Sequence, residues 1–162
     1  MKLLTIVRHA KSSWDFAELS DRERPLNKRG LRDAPAMGKR LLEAGIVPDK
    51  IVSSDAVRAW STAEIIAAEL DYPSAEIVAE PRLYHALVEE LLDVIPGLGE
   101  GCEHLMIFGH NPGFTELVNH FHPGLTYNLP TAGVVSFKMN GEIGRSADVE
   151  LVYYDYPKKD RA

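Results

Sequence analysis

Arg8-His9 comes directly after the apolar run Leu3 to Val7, and Gly109-His110-Asn111-Pro112-Gly113 comes directly after Leu105-Met106-Ile107-Phe108. Each run reads as a strand buried on both faces of a parallel sheet, so two imidazoles from distant parts of the chain arrive at strand ends. Arg58 supplies a third cationic position. It falls in the first turn of the helix that follows Ile51-Val52-Ser53-Ser54-Asp55, where unpaired backbone N–H groups and the helix dipole favour an anion. Two guanidiniums offer planar forks that match phosphate oxygens, and a protonated His110 adds charge. Taken singly, each residue has a plainer use as a surface ion pair or a satisfied edge histidine. Together, at three strand or strand-to-helix junctions, they predict a cationic pocket for a phosphoryl group.

The elements that would position this pocket alternate along the chain. Besides the two strands above, Ile51-Val52 and Ile77-Val78 are short strand candidates. Val134 to Met139 and Val149 to Tyr154 have the β-branched and aromatic content of later strands. Ala56, Ala59, Trp60, Ala63, Ile66, Ala67 and Leu70 recur at three and four residues, as do Phe114, Leu117, Val118 and Phe121, which predicts two amphipathic helices. A third is expected over 31–44, opened by Gly30 and closed by Gly45, and a shorter one over 89–95. The alternation predicts a three-layer α/β/α sandwich with a mostly parallel central sheet, in a single domain over 1–162. In such sheets ligands gather at the carboxyl ends of the strands, where these residues fall.

Composition narrows the setting. The chain has 162 residues, 45% of them hydrophobic, enough for one core, and a net charge of −6 that argues against broad nucleic-acid binding. Lys158-Lys159-Asp160-Arg161 reads as a solvated tail. A lone Cys102 cannot form an internal disulfide, and no run reaches the ~18 apolar residues of a membrane-spanning helix. Nor does the N-terminus carry the apolar region of a signal peptide, so a cytoplasmic location is expected, without membrane partners.

The blocks Arg8-His9-Ala10-Lys11-Ser12, Ser53-Ser54-Asp55-Ala56-Val57-Arg58-Ala59-Trp60-Ser61-Thr62-Ala63 and Gly109-His110-Asn111-Pro112-Gly113 resemble the histidine phosphatase, phosphoglycerate mutase-like superfamily. Within it, Ser13-Trp14, Arg24-Pro25-Leu26-Asn27, Leu83-Tyr84-His85-Ala86 and Leu129-Pro130-Thr131-Ala132-Gly133 resemble its small SixA-type phosphohistidine phosphatases. The resemblance spans nearly the whole chain. It implies that His9 attacks phosphorus and is transiently phosphorylated, that Arg8, Arg58 and His110 hold the phosphoryl oxygens, and that water then releases inorganic phosphate. His9 must present a neutral nitrogen, which requires an acceptor for its other N–H. Ser12 matches a family position whose hydroxyl can touch phosphate, though it could equally cap a turn. Lys11, Tyr84, His85 and Asn111 are assigned to substrate contact, while Lys11 and Asp15 could as well be solvated loop charges.

Relatives that act on alkyl phosphates carry an acidic residue two positions after a leucine. Here Leu83 is followed by Tyr84 and His85, and Glu80, Glu89 and Glu90 do not occupy that position. Alkoxides need a general acid to depart, whereas a histidine side chain, pKa ~6.5, can leave as neutral imidazole. The predicted substrate is therefore phosphohistidine on a protein, and the absence of long insertions suits a shallow site open to a protein side chain. A small-molecule phosphomonoesterase and a silent phosphate-binding module are the rivals.

Other chemistries find less support. Cys102 has no arginine six positions on for a cysteine phosphatase, and there is neither an Asp-x-Asp pair nor a Gly-x-x-x-x-Gly-Lys loop. Gly97-Leu98-Gly99-Glu100-Gly101 precedes a strand, where a dinucleotide fingerprint follows one. His120-Phe121-His122 lies two apart on a helix end and lacks a third ligand, and His104 reads as structural. Neither metal nor cofactor is expected.

Overall fold

The computed structural model describes residues 1–159, so Asp160 and Arg161 of the expected tail lie outside the described residues. The chain runs β1 (Lys2–Arg8), α1 (Lys28–Glu43), β2 (Lys50–Ser53), α2 (Val57–Glu69), β3 (Val78–Ala79), α3 (Val88–Leu98), β4 (His104–Gly109), α4 (Gly113–Phe121), β5 (Val134–Met139) and β6 (Val149–Asp155). The strands form one sheet in the order β3-β2-β4-β1-β5-β6. β1, β2, β3 and β4 pair in parallel, while β5 and β6 add an antiparallel edge.

Strand residues alternate between two cores, as the pleat requires. Leu4, Ile6, Val52, Leu105, Ile107, Val135 and Phe137 pack with Leu91 and Ile95 of α3 and with Phe114, Leu117 and Val118 of α4. Val7, Ile51, Met106, Phe108 and Val134 pack on the other face with Ala34, Met37 and Leu41 of α1 and with Ala63, Ile66 and Ala67 of α2. The result is a three-layer α/β/α sandwich with a mostly parallel sheet. Burial on both faces explains why the central strands are unbroken apolar runs.

Two helix boundaries differ from the sequence expectation. α1 starts at Lys28 rather than after Gly30, because the Asn27 side chain caps it by accepting from the Gly30 N–H at 2.9 Å. Gly30 serves close approach instead: a Cβ there would stand 2.2 Å from the Lys11 carbonyl oxygen. That approach matters to the site, since the Asn27 N–H donates to Lys11 O at 3.0 Å and the Ser13 N–H to Pro25 O at 2.8 Å, pinning the loop after His9. α3 runs past 95 to Leu98, with Pro96 inside it and both Ile95 and Leu98 buried against the sheet. Among the described residues, no helix is long and apolar enough to cross a membrane.

Candidate active site

Sheet register brings the predicted residues together. β1 and β4 are parallel neighbours with Arg8 opposite Gly109, and the His9 N–H donates to Gly109 O at 3.0 Å. His9 and His110 therefore leave adjacent strands at one rim, with ring centroids 5.2 Å apart. β2 lies on the other side of β4, so α2, which follows it, brings Arg58 to the same rim.

His9 is buried, and its Nδ1 lies 2.7 Å from the Ala10 carbonyl oxygen. A carbonyl only accepts, so Nδ1 carries the hydrogen and Nε2 keeps its lone pair. Burial, joined by the charges of Arg58 and Arg8 and opposed by the Ala10 bond, pushes its pKa down to about 3. The acceptor required at the sequence level is thus the neighbouring peptide, and the ring is a neutral nucleophile at ordinary pH.

Arg58 is among the largest fully buried side chains, with Nη1 donating to Asp21 O at 2.6 Å and Nη2 to Asp21 Oδ2 at 2.9 Å. Arg8 donates from Nη1 to Leu129 O at 2.9 Å, and burial beside Arg58 lowers its pKa. His110 has Nε2 2.8 Å from Ser54 Oγ. Each of the three keeps one buried nitrogen without a partner: Arg8 Nε, Arg58 Nε and His110 Nδ1. Leaving such a group unmet costs about 1–3 kcal/mol, and all three residues line the same pocket as His9, which marks it as a place built for an anion. The expectation of a protonated His110 fails in this pocket. Burial, then the neighbouring His9 and Arg58, push it down to about 2, and its partner Ser54 is uncharged.

These residues line an open pocket of about 300 Å³ together with Lys11, Ser12, Trp14, Asp21, Arg24, His85, Asn111 and Thr131. Ser12 Oγ accepts from Arg24 Nη1 at 2.8 Å. The Asn111 amide donates to Asn128 Oδ1 and Leu129 O and accepts from the Thr115 N–H, so that side chain braces the 126–129 loop against α4. Tyr84 stands behind the wall: its hydroxyl donates to Asp21 Oδ2 at 2.5 Å, and its ring stacks on His85 at 4.2 Å between centroids. Asp15 faces a neighbouring groove beside Phe16 and Arg29.

Sequence reasoning missed Asp21, Arg24, Ser54 and Thr62. Asp21 holds Arg58, Tyr84 and, through Oδ1 at 3.1 Å, Arg24. Burial alone would raise its pKa, but the hydrogen bonds from Tyr84 and Arg58 outweigh that and hold the carboxyl well below the usual range. Thr62 Oγ1 donates to Arg58 O at 2.7 Å and accepts from the Ala10 N–H at 3.0 Å, tying α2 to the loop after His9. His85 accepts from Arg58 Nη2 at 3.2 Å, and burial, against Asp21 and with Arg58, lowers its pKa. Among the described residues, no group of three or more His, Cys, Asp or Glu side chains is placed to hold a metal ion.

Residues 4–86 match the model of the histidine phosphatase superfamily, branch 1. The chain is 34% identical over 121 residues to an uncharacterized chloroplastic protein of Arabidopsis thaliana, covering 70% of this chain and 56% of that protein. It is 42% identical over 75 residues to the mitochondrial serine/threonine-protein phosphatase Pgam5 of Drosophila melanogaster, covering 46% and 25%. It thus spans about half and about a quarter of the length of these curated relatives. Among solved structures, SixA of Agrobacterium tumefaciens superposes with a TM-score of 0.82 at 23% identity, covering 96% of this chain and 98% of that one. A protein histidine phosphatase SixA complexed with tungstate gives 0.80 at 24% identity, covering 96% and 97%. These likenesses show a shared phosphoglycerate mutase-like fold.

Proposed function

Since the chain belongs to the histidine phosphatase superfamily, and with it to the phosphatases, we propose that it hydrolyses phosphohistidine on a protein through a phosphorylated His9. The observation that carries this is that Arg8, Arg58 and His110, each with one unpartnered buried nitrogen, line one pocket with a neutral His9.

The His9 Nε2 lone pair attacks phosphorus while Nδ1–H stays on Ala10 O. The P–N bond to the substrate ring breaks, and its electron pair returns to that ring's nitrogen. With the ring's other nitrogen protonated from solvent, neutral imidazole departs. Water then attacks phosphorus, the bond to His9 Nε2 breaks, the water's protons pass to phosphate and solvent, and inorganic phosphate leaves. Arg8, Arg58 and His110 stabilise the equatorial oxygens, which is most of what phosphoryl transfer asks of a protein. The two guanidiniums would supply the charge that other phosphatases take from a metal, so we propose that none is needed.

The phosphohistidine assignment draws support from the leaving-group side. Asp21 brings the carboxylate that the sequence lacked at Leu83-Tyr84-His85, yet its partners keep it ionised. His85, which stands where a general acid is expected, is neutral and has Nε2 occupied by Arg58. Neither donates a proton readily, which favours a leaving group that takes its proton from solvent rather than from the protein. We place the reaction in the cytoplasm, in keeping with a single unpaired cysteine. The test compares wild type and His9→Ala for phosphate release from a phosphohistidine protein, p-nitrophenyl phosphate and an alkyl phosphate. Release strongest on phosphohistidine and lost in the variant is expected. A preference for alkyl phosphate would leave the nucleophile standing and overturn the substrate, and no release from any of the three would favour a binding module.

A further inference from the structure

Ser54 follows β2, is fully buried, and sits beside His110 because β2 and β4 are parallel neighbours with Ser53 opposite Phe108. Its N–H donates to Phe108 O at 3.0 Å, two residues before His110. Its Oγ accepts from the Ala56 N–H at 3.2 Å and lies 2.8 Å from His110 Nε2. Only two arrangements of hydrogens fit. In one, the Ser54 hydroxyl donates to Nε2, every group on Ser54 is satisfied, and His110 carries its proton on Nδ1. In the other, Nε2–H donates to Oγ, and the hydroxyl hydrogen is left in the interior with no other acceptor among the described residues, at a cost of about 1–3 kcal/mol. That alternative would also leave the unpartnered Nδ1 of this pocket-lining ring as a lone pair, which cannot donate to an anion.

We propose that Ser54 is a positioning residue that fixes His110 as the Nδ1–H tautomer, so that a neutral imidazole still presents an N–H donor to the phosphoryl oxygens. The proposal rests on the phosphatase reading of the pocket for its functional consequence, and on Ser54 and His110 alone for the tautomer. It explains how His110 contributes to anion binding while burial keeps it uncharged. It also gives Ser54 a task distinct from that of Ser53, whose hydroxyl donates to Ser54 O at 2.9 Å and thereby holds the turn.

The experiment is nitrogen-15 imidazole NMR on the unliganded protein, wild type and Ser54→Ala, followed by tungstate titration and kinetics on p-nitrophenyl phosphate. Wild type should show His110 with a protonated Nδ1 and an unprotonated, hydrogen-bonded Nε2. Ser54→Ala should show a mixture of tautomers, a tungstate Kd raised roughly 10-fold and a comparable fall in kcat/KM. Ser54→Thr, which keeps the hydroxyl, should restore the single tautomer, and a circular-dichroism melt confirms that each variant is folded. Protonation of His110 on Nε2 in wild type, or an unchanged tautomer in folded Ser54→Ala, overturns the proposal. Failure of wild type to bind tungstate or release phosphate would instead overturn the functional reading, because the tautomer is measured without either.

Discussion

His104 and His110 stand at opposite ends of β4, both buried, both with pKa values lowered chiefly by burial. His104 Nδ1 donates to Val47 O at 3.1 Å, so its Nε2 accepts from Thr5 Oγ at 2.6 Å, and Thr5 Oγ in turn accepts from Ser136 at 2.6 Å. Nothing on that ring is left over. His110 satisfies one nitrogen with Ser54 and leaves the other without a partner, as do Arg8 and Arg58 at their Nε atoms. The same residue type at the same depth is a closed strut at the amino end of the strand and an open donor at the carboxyl end. The count of satisfied nitrogens, more than burial or pKa, separates structure from function here.

Exchange of each histidine is the strongest way to break this contrast. His110→Ala should lower kcat on any accepted substrate by on the order of 10²–10³, the usual cost of removing one transition-state donor. His104→Ala should leave kcat per folded molecule unchanged and cost about 2 kcal/mol by orphaning Val47 O and opening a cavity. Steady-state kinetics and chemical denaturation on both variants check the pair. A His104 variant that is stable but inactive would erase the distinction between the two ends.

Asp21→Asn should produce the next largest effect. The neutral amide keeps an acceptor oxygen for only one of Arg58 and Arg24, turns an NH2 toward the other, and loses charge-assisted bonds worth about 1.5–3 kcal/mol, so kcat/KM should fall by roughly 10-fold or more, with Arg24→Lys acting in the same direction. Asp21 also shows where the sequence stops being readable. Arg8, His9 and His110 follow strands that are continuous apolar runs, and Arg58 opens a helix with clear three- and four-residue periodicity, so secondary structure alone places them on one rim. Ser54 lies in the same register, but only the sheet order β2-β4-β1 shows that it meets His110. Asp21 sits in a single turn of 3-10 helix, over Asp21–Glu23, in a long loop with no hydrophobic period to locate it. Its nearest cue was Arg24-Pro25-Leu26-Asn27, whose pairing with 11–13 becomes visible only in three dimensions.

Acid titration sharpens the contrast further. His9 and His110 have folded pKa values near 3 and 2, below an unfolded value of about 6.5, so the unfolded chain binds protons first. The stability they contribute is complete above pH 6.5 and is lost as the pH falls toward 3. His104 shifts in the same direction and adds to the loss. Bound phosphate should raise the two pocket values by placing an anion beside them and leave His104 untouched. Melting curves from pH 7.5 to 4.5 should therefore flatten, but not become level, in saturating inorganic phosphate. A curve unmoved by phosphate would mean that the pocket histidines do not meet the anion.

The smallest effect belongs to the rim. Trp14 is 74% exposed and lines the pocket mouth, with the Arg24 guanidinium carbon 3.5 Å from its ring centroid. An exposed cation–π contact is worth about 0.5–1 kcal/mol, so Trp14→Ala should cost little stability. Arg24 remains tied to Asp21, Ser12 and Ser13 O without the indole, which should preserve the wall of the pocket. What the indole adds is apolar surface next to the incoming residue. Its loss should raise KM a few-fold for a phosphohistidine protein and less for p-nitrophenyl phosphate, with kcat nearly constant for both. Equal losses of kcat on the two substrates would instead show that Trp14 acts inward through Arg24, making rim and wall one unit.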